Sequence, residues 1–180
     1  MAWSDAEVAH RAASDAERVA WVDEQDRLLG ALSRRELRER HLIGRCTFIL
    51  LFNTSGELCV HQRTFSKALY PGYWDVAAGG MVDEGESYSS SACRELAEEL
   101  GIEGVALEDF GRFFYASAES RLWCGVFRAV SDAPVRIQPE EVLEARFLTL
   151  EQLQRELSER DWCPDSQQAL KHYLSRCASV

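Results

Sequence analysis

No apolar run in this 180-residue chain reaches 18 residues, and its N-terminus has no signal-peptide core. Neither a membrane-spanning helix nor a cleaved leader is therefore expected. The six cysteines (46, 59, 93, 124, 163 and 177) form no CxxC pair and no other zinc spacing. Several sit in apolar strand patterns, so they read as reduced core residues of a cytoplasmic protein. Histidines 10, 41, 61 and 172 are scattered, with no metal spacing, and read as surface or core residues. There is no internal repeat and no low-complexity linker. Positive charge is short: 20 Lys and Arg against 30 Asp and Glu leave a net charge of −10. That balance argues against nonspecific binding to nucleic-acid polymers or anionic membranes. An acidic protein that takes an anionic small molecule needs cations to bridge the two.

What is present is ordinary globular material, 46% hydrophobic and 28% charged, enough for one full core. The chain reads as an extension over residues 1–40, packed on a main domain over 41–180. Its most informative stretch is Gly80 to Ile102, GMVDEGESYSSSACRELAEELGI. Ser87 is an N-cap candidate, Tyr88 to Leu100 reads as a helix, and Gly101 stops it by permitting a left-handed residue. On that helix Glu95, Glu98 and Glu99 stand at i, i+3 and i+4, which puts three carboxylates on one patch. Ala92, Leu96 and Leu100 form a neighbouring stripe that packs inward. Like charges at these offsets repel, so clustered carboxylates suit a hard divalent cation such as Mg²⁺. Arg94 can hold Glu98 at i+4 or Glu86 across the loop. Three glycines between Gly79 and Gly85 let the backbone approach a metal or phosphate closely. Taken alone, RELAEEL reads as a charged surface helix.

The full spacing changes that reading. Gly80, Glu86, Arg94, Glu95, Leu96, Glu98, Glu99, Gly101 and Ile102 fit G-x5-E-x7-R-E-U-x-E-E-x-G-U at every specified position, U being aliphatic. A random window matches on the order of once in a billion. The segment resembles the Nudix box, and the chain is similar to Nudix hydrolases. The resemblance implies an α/β/α sandwich with a mixed β-sheet, here with an N-terminal helical and hairpin extension. It also implies a Mg²⁺- or Mn²⁺-dependent hydrolase of a diphosphate-containing small molecule. Carried over by position, Glu98 and Glu99 are the main metal ligands, and Glu95 is a further ligand or the general base. The Gly79 carbonyl is a backbone ligand, Arg94 orients the glutamates, and Gly80 and Glu86 support the loop. The stretch Leu50 to Gly80, with Pro71-Gly72-Tyr73-Trp74, resembles the branch that includes isopentenyl diphosphate isomerase. That enzyme has Cys-Gly-His where this chain has Ala78-Gly79-Gly80. Alanine moves no proton, so hydrolysis is favoured. An isomerase and a non-catalytic nucleotide sensor remain the alternatives at this stage.

The rest of the chain supplies a scaffold and further candidates. Helix is expected over residues 4–20, a hairpin over 21–32, and a short helix capped by Ser33 and Glu36 to residue 40. Strands are expected at 46–52, 57–63, 75–79, 105–115, 121–130 and 145–148. Helices are expected at 150–159, capped by Thr149 and Gln152, and from 165 or 166 to 177. Arg63 and Lys67 are phosphate-binding candidates. Trp74 and Tyr73 can stack on a substrate group or serve packing. Glu119, Glu140 and Glu141 are candidates for one more carboxylate. Cys93, inside the box helix, reads as buried filler. A homodimer is the commonest closed assembly, and the N-terminal helix offers a surface for one.

Overall fold

The computed structural model describes residues 4–178. Its spine is β3 (Ile43–Phe52), ten residues with a nearly continuous run of buried side chains. Such a run belongs to a strand covered on both faces. Alternation along β3 sorts the core into two layers. Cys46, Phe48, Leu50 and Phe52 join one apolar cluster, and Ile49 and Leu51 join the other.

Strands gather around this spine. β4 (Leu58–Arg63) meets β3 near the Asn53–Gly56 turn, and β6 (Ala78–Met81) runs antiparallel along β3. β8 (Arg121–Val130) runs parallel to β3 over all ten residues. β7 (Glu108–Ala116) pairs with β8, while β5 (Trp74–Asp75) and β9 (Val142–Leu148) pair with β4. The hairpin of β1 (Arg18–Val22) and β2 (Leu28–Ser33) adds to the other side of the same nine-stranded sheet. Helix α3 (Tyr88–Leu100) covers one face through Ala92, Leu96 and Leu100. On the other face lie α4 (Leu150–Glu156) and α5 (Pro164–Cys177), through Leu153, Ala169 and Leu170. The expected α/β/α sandwich with a mixed sheet is the observed fold.

Local chemistry accounts for the helix ends. The Ser87 hydroxyl accepts the Ser90 N–H, the Ser90 hydroxyl accepts the Ser87 N–H, and Gly101 closes α3 at φ +66°. Thr149 and Gln152 cap α4 reciprocally. Ser33 accepts the Glu36 N–H at the start of α2 (Arg34–Glu39).

Several boundaries differ from expectation. Helix α1 (Asp5–Ala16) stops before residue 20, because Val19, Ala20 and Val22 are buried in the sheet as β1. The single strand expected over 75–79 is two, since β5 and β6 have different partners. β7 starts three residues late and β9 three residues early, and α4 ends at Glu156. α5 starts at Pro164, whose missing N–H costs nothing at a first helical turn.

The hairpin is tied down by Asp26, a non-glycine residue at φ +61° in its turn. Its carboxylate accepts hydrogen bonds from Arg45 Nε at 2.6 Å, Tyr88 Oη at 3.0 Å and Arg112. These partners come from β3, α3 and β7, so one buried acid joins the extension to three core elements. Removing it strands two guanidinium groups, one of them largely buried. Asp26→Ala is expected to cost about 2–4 kcal/mol, read as a lower urea midpoint. An unchanged midpoint would show that the hairpin does not depend on this acid.

Candidate active site

Arg94 organises the box. Its Nε and Nη2 donate to the two oxygens of Glu86 at 2.9 and 3.0 Å. Its Nη1 donates to Glu95 at 2.8 Å and to Glu98 at 3.1 Å. Nη2 also donates to the Met81 carbonyl at 3.2 Å. These bonds occupy all five donors of the guanidinium. They lash the Asp83–Glu86 loop, the end of β6 and one face of α3 together. The bidentate grip of Arg94 holds the Glu86 carboxyl below its ordinary pKa.

The three helix glutamates differ in surroundings. Glu98 is the exposed one, while Glu95 and Glu99 are only 8% and 3% exposed. Burial pushes the Glu95 carboxyl up to about 7, against the opposing pull of Arg94. Burial also raises Glu99 well above the carboxylate range, with Lys67 pulling the other way and Glu141 and Glu95 adding to the rise. Glu99 accepts the Gly79 N–H at 3.1 Å and lies 3.9 Å from His61 Nε2. His61 is fully buried, and that burial drops its pKa to about 4, so it stands neutral behind Glu99. Space explains both glycines of β6. A Cβ on Gly79 would stand 2.0 Å from the Thr47 carbonyl oxygen, and one on Gly80 would stand 2.2 Å from a Glu95 oxygen.

Among the described residues no group of three His, Cys, Asp or Glu side chains converges to hold a metal ion. Arg94 draws Glu95 and Glu98 toward itself, and Glu99 turns to the β6 backbone. The donor set nevertheless fits a hard divalent cation: oxygen only, with two acids buried side by side at a cost that a cation relieves.

Gly79 and Gly80 also edge a cavity of about 120 Å³. Arg63, Lys67, Glu140 and Glu141 line it as well. Arg63 donates to Asp75 at 3.4 Å, and Lys67 pairs with Glu141. His10 of α1 lies 2.6 Å from the other Glu141 oxygen. Burial raises the Glu141 pKa, but Lys67 and His10 outweigh it and leave it at about 2. Of the three loop glutamates, Glu141 is the one that pairs within this charge cluster, its side chain 14% exposed. Glu119 lines a different depression, near Arg121.

Three expectations are corrected. Trp74 is 4% exposed and packs on Trp162 between Arg146 and Arg160, so it cannot stack on a substrate. Its role is packing. Cys93 is exposed rather than buried, because it faces away from the Ala92–Leu96 stripe. Cys177, at the end of α5, is exposed as well. Sequence reasoning also missed His61, His10, Arg34 and Arg38 near the site. His61 alone left a signal: it shares the Cys59 side of β4, the side facing α3.

The model of the NUDIX domain family matches residues 43–171. The chain belongs to the Nudix family. It is 65% identical over 167 residues to an uncharacterized Nudix hydrolase of Pseudomonas aeruginosa, covering 93% of this chain and 99% of the relative. The Nudix hydrolase YfcD of Escherichia coli is 36% identical over 161 residues, 88% of each chain. A crystal structure from Deinococcus radiodurans superposes with a TM-score of 0.73 at 29% identity, covering 87% of this chain and 99% of that one. The fold is also that of a Nudix domain of Shewanella oneidensis bound to ADP ribose (TM-score 0.60, 18% identity, 81% and 99% covered). This chain is thus a Nudix hydrolase, with its box on β6, the loop and α3.

Two outcomes test this geometry. For this Nudix hydrolase in chelator at pH 8, Glu99→Gln is expected to raise the melting temperature by about 2–4 °C. The raised pKa of Glu99 means that its stability cost grows as pH rises from the unfolded value of about 4.5. A lower melting temperature would contradict a costly buried charge. Gly80→Ala is expected to displace Glu95 and cut turnover by roughly 10²-fold with little change in the melt. Full activity would show that the Glu95 position is immaterial.

Proposed function

We propose that this Nudix hydrolase cleaves a diphosphate linkage, in a nucleoside diphosphate joined to another group or a similar small molecule, with Mg²⁺ or Mn²⁺. The observation that carries this reading is the pair of buried acids, Glu95 and Glu99, set against the glycine strand at the edge of a cavity lined with Arg63 and Lys67. A buried acid pair of this kind is costly unless a cation joins it.

Glu98 and Glu99 would hold the ion, with Glu95 as a third ligand or as the base, and the Gly79 carbonyl as a backbone ligand. A bound divalent cation supplies charge neutralisation for the diphosphate, a lowered pKa for the attacking water and stabilisation of the leaving phosphate. The protein's own groups do the rest. Arg94 sets the direction of Glu95 and Glu98, and Glu86 fixes Arg94. Where it is not itself a ligand, Glu95 takes the proton from the water that attacks phosphorus. Lys67, pinned by Glu141, and Arg63, pinned by Asp75, present positive charge to the phosphate oxygens. Ala78 lies buried in β6 against the α3 layer, where it offers no proton donor. We read residues 1–40 as an extension and 41–180 as the hydrolase domain.

The test is phosphate release from nucleotides, nucleotide sugars, dinucleotides and coenzymes with Mg²⁺ or Mn²⁺, comparing wild type with Glu99→Gln. Turnover of at least one compound is expected, reduced by roughly 10²–10³-fold or more in the variant. Equal turnover in both would remove Glu99 from the chemistry. No turnover by folded, metal-loaded wild type would overturn the hydrolytic reading for these substrate classes.

A further inference from the structure

The two cavity cations already described each share their charge with an acid: Arg63 pairs with Asp75 and Lys67 with Glu141. Three other arginines line the same cavity from outside the matched family domain, Arg11 on α1 and two on α2. Arg34 and Arg38 lie on α2, which ends before residue 43. Among the described residues, both side-chain contacts of Arg34 use Nη1: a bond to Ser14 Oγ at 2.9 Å and a loose 3.5 Å approach to Glu17. Arg38 donates from Nη2 to Asp15 Oδ1 at 3.0 Å. Both side chains are about 30% exposed, at 31% and 28%. A guanidinium has five donors in a fixed fork suited to phosphate.

We propose that Arg34, supported by Arg38, is a specificity-determining residue that grips the phosphoryl group of the substrate not under attack. This deepens the diphosphate reading above and rests on it. The box and the ion would act on one phosphorus from the α3 side. The Arg34 fork would bind the non-bridging oxygens of its neighbour from the α2 side. The consequence is that the contact to the second phosphoryl group would come from the extension rather than from the box.

The test is isothermal titration of methylenediphosphonate, a non-hydrolysable diphosphate, into Mg²⁺-loaded protein. Wild type is expected to bind, and Arg34→Ala to bind about 10–100-fold more weakly, the loss of one charge-assisted bidentate contact. Ser14→Ala cuts the tie from α1 but leaves the cation, and is expected to bind like wild type. Arg34→Gln keeps a donor for Ser14 without the charge, so it carries the test if the alanine variant does not fold. With a compound turned over by wild type, Arg34→Ala is expected to raise KM by the same factor with kcat within about threefold. Unchanged affinity in the Arg34 variants overturns the proposal, while hydrolysis by wild type leaves the function intact. Equal weakening in Ser14→Ala also overturns it, assigning the effect to docking of α1. A wild type that turns over the panel but binds no diphosphonate overturns the grip alone.

Discussion

Everything at the candidate site depends on one guanidinium. Glu86, Glu95 and Glu98 all bond to Arg94, and Asp83 stands 3.6 Å from the same guanidinium. Without Arg94 these carboxylates would repel, and neither the loop nor the face of α3 would hold its form. Arg94 does more than neutralise. Its planar fork fixes angles, and its bond to the Met81 carbonyl anchors the acids to the sheet. A lysine would keep the charge and lose the directions.

The sheet decides where this assembly stands. β3 sends alternate residues to two layers, so α3 is pressed on one face and α5 on the other. β6 lies against β3 so closely that Gly79 has no room for a side chain. Glu99 enters beneath it and accepts its N–H. The acids that matter are thus pulled into an apolar setting by Leu96 and Leu100, their neighbours on the helix. Packing raises their proton affinity. The same burial that stabilises the core loads the site with electrostatic cost.

The box was legible because its chemistry is local. Ser87, Arg94, the three glutamates and Gly101 act within 15 residues, and spacing alone put them on one helical face. Strands β3, β4 and β8 were legible from apolar runs. What stayed hidden depends on contacts distant in sequence. Glu141 could not be told from Glu119 or Glu140, because only the fold brings Lys67 and His10 to it. Trp74 in a Pro-Gly turn gave no sign that Trp162 would cover it. The end of α1 was misplaced because Ala-rich residues run smoothly into Val19 and Ala20, and only pairing with β2 and β3 makes those a strand. Arg34 and Arg38 look like solvated helix charges until the cavity is seen between them and β6.

The hairpin's attachment has a consequence for how such a protein can change. β1 pairs with β3 at Trp21–Gly44 and Val22–Ile43, with a further bridge from Val19 to Asp83. Asp26 pins the far end. The segment is therefore held by a short seam and by separate polar ties such as Asp26, Arg18–Glu84 and His10–Glu141, whereas the box is a closed web in which each residue constrains several others. Variation meets unequal resistance in the two parts. A substitution in the web must be matched by another to restore it, but the stretch that carries α1 and α2 can be remodelled piecemeal. Such a division of labour lets a lineage retune what it recognises while the reacting centre stays fixed.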